Sequence, residues 1–179
     1  MKRKFFSKNK TFAPKKQQLE VTYEHDPKIQ EEKRRLEQMY RNVKWTEEQQ
    51  NTINAIDNGD NVFLTAPGGA GKSFLLRYLI HRARNELGLK VAVTASTGIA
   101  AVPLGGTTIH SALGVGMAKQ TADELVSLKA KDKKFVEEWL GYDLLIIDEI
   151  SMVEPEFLDK IDKILRKVRA QPHKPFGGI

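Results

Sequence analysis

Apolar positions recur at helical spacing in four stretches of this chain. Asp26-Pro27 reads as an N-cap and first helical residue, followed by Ile29, Leu36, Met39, Tyr40 and Val43 on one narrow stripe. Thr46 can cap a second helix that carries Ile53 and Ile56 and ends in the turn Asp57-Asn58-Gly59-Asp60. Phe74, Leu75, Tyr78 and Leu79 define a third helix that stops at Gly88, and Leu158, Ile161, Leu165 and Val168 a fourth, from about Pro155 to Arg169. Between them lie three short runs that are apolar without alternation: Val62-Phe63-Leu64, Val91-Ala92-Val93 and Leu144-Leu145-Ile146-Ile147. Strands apolar on both faces, alternating with helices, predict an α/β fold: a parallel sheet with helices covering both sides.

Charge divides the chain. Residues 1–44 hold 13 Lys/Arg against 6 Asp/Glu, whereas residues 45–179 hold 16 against 17. The expected organisation is a disordered basic arm over 1–25, a helical linker over 26–44 and a globular domain over 45–179. Lys and Arg that neutralise phosphates release counterions, so the arm suits a polyanionic partner, although a charge run taken alone is more often merely a solvated tail. Seven Lys/Arg and no acid among the first 19 residues would suit a nuclear or mitochondrial address, but no amphipathic stripe accompanies them. The absence of cysteine excludes disulfides, thiolate zinc sites and cysteine nucleophiles from these 179 residues. Val91 to Ala118 contains no Asp, Glu, Lys or Arg over 28 residues, yet its five glycines, Pro103 and its hydroxyl side chains make it strand, loop and short helix rather than a membrane span.

The candidate chemistry begins at Ala66-Pro67-Gly68-Gly69-Ala70-Gly71-Lys72-Ser73. Glycines allow consecutive backbone N–H groups to turn inward around phosphate oxygens, and the following helix adds the positive end of its dipole. In such a loop Lys72 reaches the β- and γ-phosphates of ATP and the Ser73 hydroxyl ligates Mg²⁺. The strict pattern has Gly where this chain has Ala66; Gly68 and Gly69 supply the freedom next door. A second acidic strand end is needed for the metal, and Leu144–Ile147 runs into Asp148-Glu149. Asp148 is the candidate metal residue, and Glu149 the candidate general base for the attacking water. Gln49, three residues after Thr46, fits a capping box and equally offers a donor and an acceptor to an adenine edge. Thr97 and Thr108 lie in small, hydroxyl-rich segments suited to contacts with a nucleic-acid backbone. His110 fits either a base contact or a buried histidine with a satisfied partner. The four histidines are scattered, so no metal cluster is expected.

Five segments stand in one order: Trp45–Gln50, Ala66–Ser73, Thr94–His110, Ile147-Asp148-Glu149-Ile150-Ser151-Met152 and Lys174-Pro175-Phe176-Gly177-Gly178-Ile179. From residue 44 onward the chain closely resembles the Pif-type DNA helicases of the 5′→3′ branch of helicase superfamily one. RecD- or Dda-like helicases of the same branch match less well at Asp-Glu-Ile-Ser-Met and Pro-Phe-Gly-Gly-Ile. The resemblance implies a RecA-like P-loop domain hydrolysing ATP with Mg²⁺, acting on single-stranded DNA and duplex junctions in repair, recombination and telomere maintenance; the sequence does not fix the oligomeric state, and a monomer is the expectation. It places Gln49 on adenine, residues 67–73 around the triphosphate, and Thr97, Thr108 and His110 along the DNA. It also implies that Gly177-Gly178-Ile179 opens a further strand lying between the phosphate-loop strand and the Asp148 strand. The expectation is therefore a truncated first lobe, its sheet open between those two strands. Such a piece is expected neither to fold cooperatively nor to unwind DNA, or else to be a nucleotide- or DNA-binding regulator without turnover.

Overall fold

The computed structural model describes residues 27–179, so the basic arm lies outside the described residues. The chain divides into two compact units with the boundary after Asn58. In the first, α1 (Pro27–Arg41) and α2 (Glu47–Asp57) form as the spacing predicts. A full capping box starts α2: Thr46 Oγ1 accepts the Gln49 N–H and Gln49 Oε1 accepts the Thr46 N–H. The backbone N–H of Glu48 and the Thr46 hydroxyl hold the exposed Glu48 carboxyl below its ordinary value.

The second unit runs α3 (Lys72–Asn85), β1 (Val91–Ala95), α4 (Gly98–Ala101), β2 (Thr107–Thr108), α5 (Ile109–Leu113), α6 (Ala122–Lys131), α7 (Lys133–Leu140), β3 (Leu144–Asp148) and α8 (Pro155–Val168). The strands form a parallel sheet in the order β2-β1-β3. Val91 pairs with Leu144 and Ala95 with Asp148, so β1 and β3 end level with each other. The pleat sends alternate side chains to opposite faces. Val91, Val93, Leu144 and Ile146 pack with Ile80 and Ala83 of α3, while Ala92, Leu145 and Ile147 join the larger core formed by α5, α6, α7 and α8. This is the expected layering, helices on both faces of parallel strands.

Two expectations are revised. Val62-Phe63-Leu64 pairs with no strand among the described residues, and Phe63 is 74% exposed. An apolar run signals propensity, whereas a strand also needs a neighbour, and β3 is the sheet edge on the side away from β1. The apolar face of α8 is also wider than predicted, with Phe157 and Ile164 buried beside Ile161, Leu165 and Val168, and Leu158 only half-buried. Two further helices, α6 and α7, lie where the spacing predicts none. Thr121 and Glu124 form a capping box at the start of α6, and the Thr121 N–H and hydroxyl hold the exposed Glu124 carboxyl below its ordinary value. The Asp132 side chain accepts the Phe135 N–H at the start of α7, which buries Phe135 and Trp139 one turn apart. No helix among the described residues is long and apolar enough to cross a membrane.

β2 depends on a single glycine. A Cβ added to Gly106 would overlap the Val93 carbonyl oxygen, so backbone meets backbone where β2 reaches β1. Gly106→Ala is expected to lower stability by about 1–3 kcal/mol, the usual range for an overpacked contact. Urea unfolding midpoints measure this, and an unchanged midpoint contradicts the close approach.

Candidate functional site

The loop Ala66–Ser73 gets its shape from two glycines in the left-handed region, Gly69 (φ +77°) and Gly71 (φ +81°), the second serving as N-cap of α3 without a side-chain cap. A residue with a Cβ is strained at such angles. Space beyond Gly68 and Gly69 is open, with nothing within 4 Å of an added Cβ. Helix α3 begins at Lys72, so its first N–H groups lack intrahelical acceptors and the positive dipole end faces the loop. The Lys72 ammonium lies over the loop, donating to the carbonyls of Ala66 (2.5 Å) and Pro67 (3.0 Å). Pro67, Gly68, Ala70 and Ser73 are exposed, and the Ser73 carbonyl accepts from Arg77 Nε at 3.2 Å.

The acidic strand end faces the same way. Leu144 and Ile146 lie on the α3 side of the sheet, so the pleat puts Asp148 on that side as well. The return from α3 to β1 is tight, with Leu89 N–H donating to Ala83 O at 2.8 Å and Arg84 Nη2 to Val91 O at 3.4 Å. The C-terminal end of α3 thus sits at the start of β1. Asp148 is half-buried; its Oδ1 accepts the N–H of Glu149 at 2.9 Å. Glu149 is exposed and occupies the left-handed region (φ 52°, ψ 43°), a conformation of about 1–2 kcal/mol cost for a residue with a Cβ. That bond from its own N–H to the preceding carboxylate holds the turn.

No group of three or more His, Cys, Asp or Glu that could hold a metal occurs among the described residues. A hydroxyl and one carboxylate suit Mg²⁺, which keeps several waters and takes phosphate oxygens rather than a protein cage. The exposed Ser73 hydroxyl and the half-buried Asp148 carboxylate are hard oxygen donors of the kind that ion takes.

The remaining candidates have local duties in the fold. Gln49 spends Oε1 in the capping box, leaving its amide N–H groups as donors. Thr97 caps α4 through Ala100 N (3.3 Å), and Thr108 caps α5 through Ser111 N (3.1 Å) while donating to Ser111 Oγ (2.8 Å). Thr108 stands beside Ala95 in the β1–β2 pairing, so the hydroxyl-rich segment runs along the same strand ends as Asp148. His110 is half-buried, its ring stacked on Phe157 at 4.0 Å between centroids and 16° between planes. Three residues that sequence reasoning does not single out support this region: Phe157 itself, Lys129, which is buried and donates to Gly114 O at 2.8 Å, and Lys160, which donates to Ala118 O at 2.8 Å. In the sequence Lys129 is one more charge on α6. Nothing in the spacing marks a lysine that turns inward over the Phe135 ring, 4.9 Å from its centroid.

A glycine-shaped loop feeding a helix N-terminus, with an acidic strand end on the same face of a parallel sheet, defines a P-loop nucleotide-binding domain. The chain belongs to the PIF1-like helicase family, whose model matches residues 44–179. It is 46% identical over 135 residues to the ATP-dependent DNA helicase PIF1 of Saccharomyces cerevisiae, which covers 75% of this chain and 16% of that protein. It is 38% identical over 145 residues to protein 030L of invertebrate iridescent virus 6, covering 79% of this chain and 27% of that one. The chain thus spans less than a third of these relatives' lengths. Among solved structures it superimposes on Pif1 helicase from Candida albicans (TM-score 0.69, 38% identity, 76% of this chain and 31% of that one). It also superimposes on Bacteroides Pif1 in complex with ADP-AlF4 (TM-score 0.63, 39% identity, 77% and 31%) and on Bacteroides Pif1 bound to single-stranded DNA (TM-score 0.61, 39%, 77% and 31%).

Proposed function

We propose that this chain supplies the ATP-binding lobe of a 5′→3′ DNA helicase that couples ATP hydrolysis to movement along single-stranded DNA. The observation that carries the reading is the glycine-shaped loop at the N-terminus of α3, a helix that packs on the Leu144–Ile146 face of the sheet, the face to which the pleat assigns Asp148. Backbone N–H groups of residues 68–73 hold the phosphates, and Lys72 adds its charge. Ser73 and Asp148 hold Mg²⁺, which neutralises charge on the phosphates when bound. Glu149 orients the attacking water and takes its proton. Thr97, Thr108 and His110 line the DNA path, with backbone and hydroxyl contacts tolerant of sequence.

The test is strand separation by the full-length protein on forks with a single 5′ or 3′ tail, with phosphate release followed in parallel. Unwinding of the 5′-tailed fork alone, dependent on ATP and Mg²⁺, is expected. Hydrolysis that single-stranded DNA does not stimulate, with neither fork opened, overturns the reading. The basic arm contributes counterion release, so deleting residues 1–25 should flatten the dependence of log affinity on log salt by about 0.7 for each single-strand phosphate the arm had neutralised. An unchanged slope makes the arm a solvated tail.

A further inference from the structure

The two halves of the proposed site are joined by one helix. After Asp148 and Glu149 the chain makes a single 3-10 turn, Ile150–Met152, with Met152 N–H donating to Glu149 O at 3.0 Å and Val153 N–H to Ile150 O at 3.0 Å. Only Val153 and Glu154 separate that turn from Pro155, the first residue of α8. The first two turns of α8 then grip the other half. Phe157, itself buried, carries the His110 ring in a parallel stack at 4.0 Å. Lys160, one turn on, donates to the carbonyl of Ala118 at 2.8 Å.

The gripped segment is stiff. His110 O accepts from Val115 N at 3.2 Å, Lys129 of α6 donates to Gly114 O at 2.8 Å, and Gly114, Gly116 and Ala118 all have positive φ. Val115 and Ala118 are buried. The stretch from Thr108 to Ala118 is therefore a unit held at His110 and Ala118 by α8 and at Gly114 by α6. A displacement of the N-terminal end of α8 reaches it through packed, hydrogen-bonded contacts, since close-packed side chains pass on a shift rather than absorb it.

We infer that Phe157 and Lys160 are positioning residues that couple the nucleotide site at Asp148-Glu149 to the DNA-contacting segment Thr108–Ala118. The inference rests on the reading of Thr108 and His110 as DNA contacts given above. Each acts through the segment it holds, Phe157 through His110 and Lys160 through the Ala118 carbonyl. A direct route also exists through the sheet, where Ser96 N–H donates to Asp148 O at 3.1 Å, so the helix route has a competitor within the same fold.

Coupling is measured as the factor by which one ligand changes the affinity for the other, and that factor is reciprocal. The full-length protein is titrated with fluorescent oligo(dT), with and without Mg²⁺ and a non-hydrolysable ATP analogue, and then with the analogue with and without oligo(dT). The unsubstituted protein is expected to show a factor of about 5 or more, the low end of ordinary allosteric coupling. Lys160→Met keeps the aliphatic stem and loses the donor; Phe157→Leu keeps an apolar side chain and loses the stack. Both are expected to bring the factor within about twofold of unity while the affinity for the analogue alone stays within about twofold of normal. Lys160→Arg, which retains a donor, should recover part of the coupling. A structural role alone would lower the melting temperature and leave the factor intact. If both variants bind each ligand with the normal coupling factor, the sheet carries the signal and the inference is overturned. If the unsubstituted protein binds no oligo(dT), or no analogue, the helicase reading itself fails, and this inference with it.

Discussion

Glu149→Gln is expected to bind ATP normally and to hydrolyse it about 10²–10⁴-fold more slowly, the range general-base groups contribute. Gln occupies the same volume and keeps its backbone N–H on Asp148 Oδ1, so the left-handed turn at φ 52° survives the substitution. What it loses is the ability to accept a proton. The exposure of Glu149 matters here: it projects beyond the strand end, whereas Asp148 beside it is half-buried and tied to the backbone. That difference in exposure suits the proposed division of labour between the two adjacent carboxylates. Phosphate release in the presence of single-stranded DNA, alongside titration with a fluorescent nucleotide, measures both halves of the claim. Normal DNA-stimulated turnover in Glu149→Gln would remove Glu149 from the reaction.

Lys72→Ala is expected to abolish turnover and to weaken nucleotide binding by about 10–150-fold, the equivalent of one missing hydrogen bond to a charged group at about 1.5–3 kcal/mol. The ammonium already lies over the loop on the carbonyls of Ala66 and Pro67, so it has little distance to travel to a phosphate held by the same backbone. Lys72→Arg is not expected to restore function, because the planar guanidinium fork cannot replace a compact point charge inside so tight a turn. Fluorescent-nucleotide titration is the measurement, with thermal unfolding as a control for the two hydrogen bonds that Lys72 makes to the loop. Binding of undiminished affinity in Lys72→Ala would mean that the loop holds something other than a triphosphate.

Legibility in the sequence followed the range of the interaction involved. The phosphate loop, the Thr46 cap and the run into Asp148 are local: a few consecutive residues determine each, and the structure forms all of them. The helices α6 and α7 are equally local in origin, marked by Thr121 three residues before Glu124 and by Phe135 and Trp139 four apart, but charged residues interleave with those signals. Val62–Leu64 fails as a strand for the opposite reason. Its residues favour extended backbone, yet pairing is a property of two segments, and no described segment pairs with it. Side-chain roles that cross the fold are invisible in the same way. Lys129, Lys160 and the His110–Phe157 stack join residues 15 to 47 positions apart, and nothing in one segment announces its partner in another.

The exposed apolar segment at Val62–Leu64 bears on how the protein behaves at the bench. β3 ends the sheet, and Phe63 is 74% exposed on an apolar run that pairs with no strand among the described residues; both features invite pairing with another chain. Residues 27–179 prepared alone will be sticky in proportion to their concentration. Colloidal behaviour, rather than chemistry, will set the practical ceiling on titrations with that piece. A charged residue in place of Phe63 is the natural gatekeeper, since it blocks association between edges while leaving Lys72, Asp148 and Glu149 untouched.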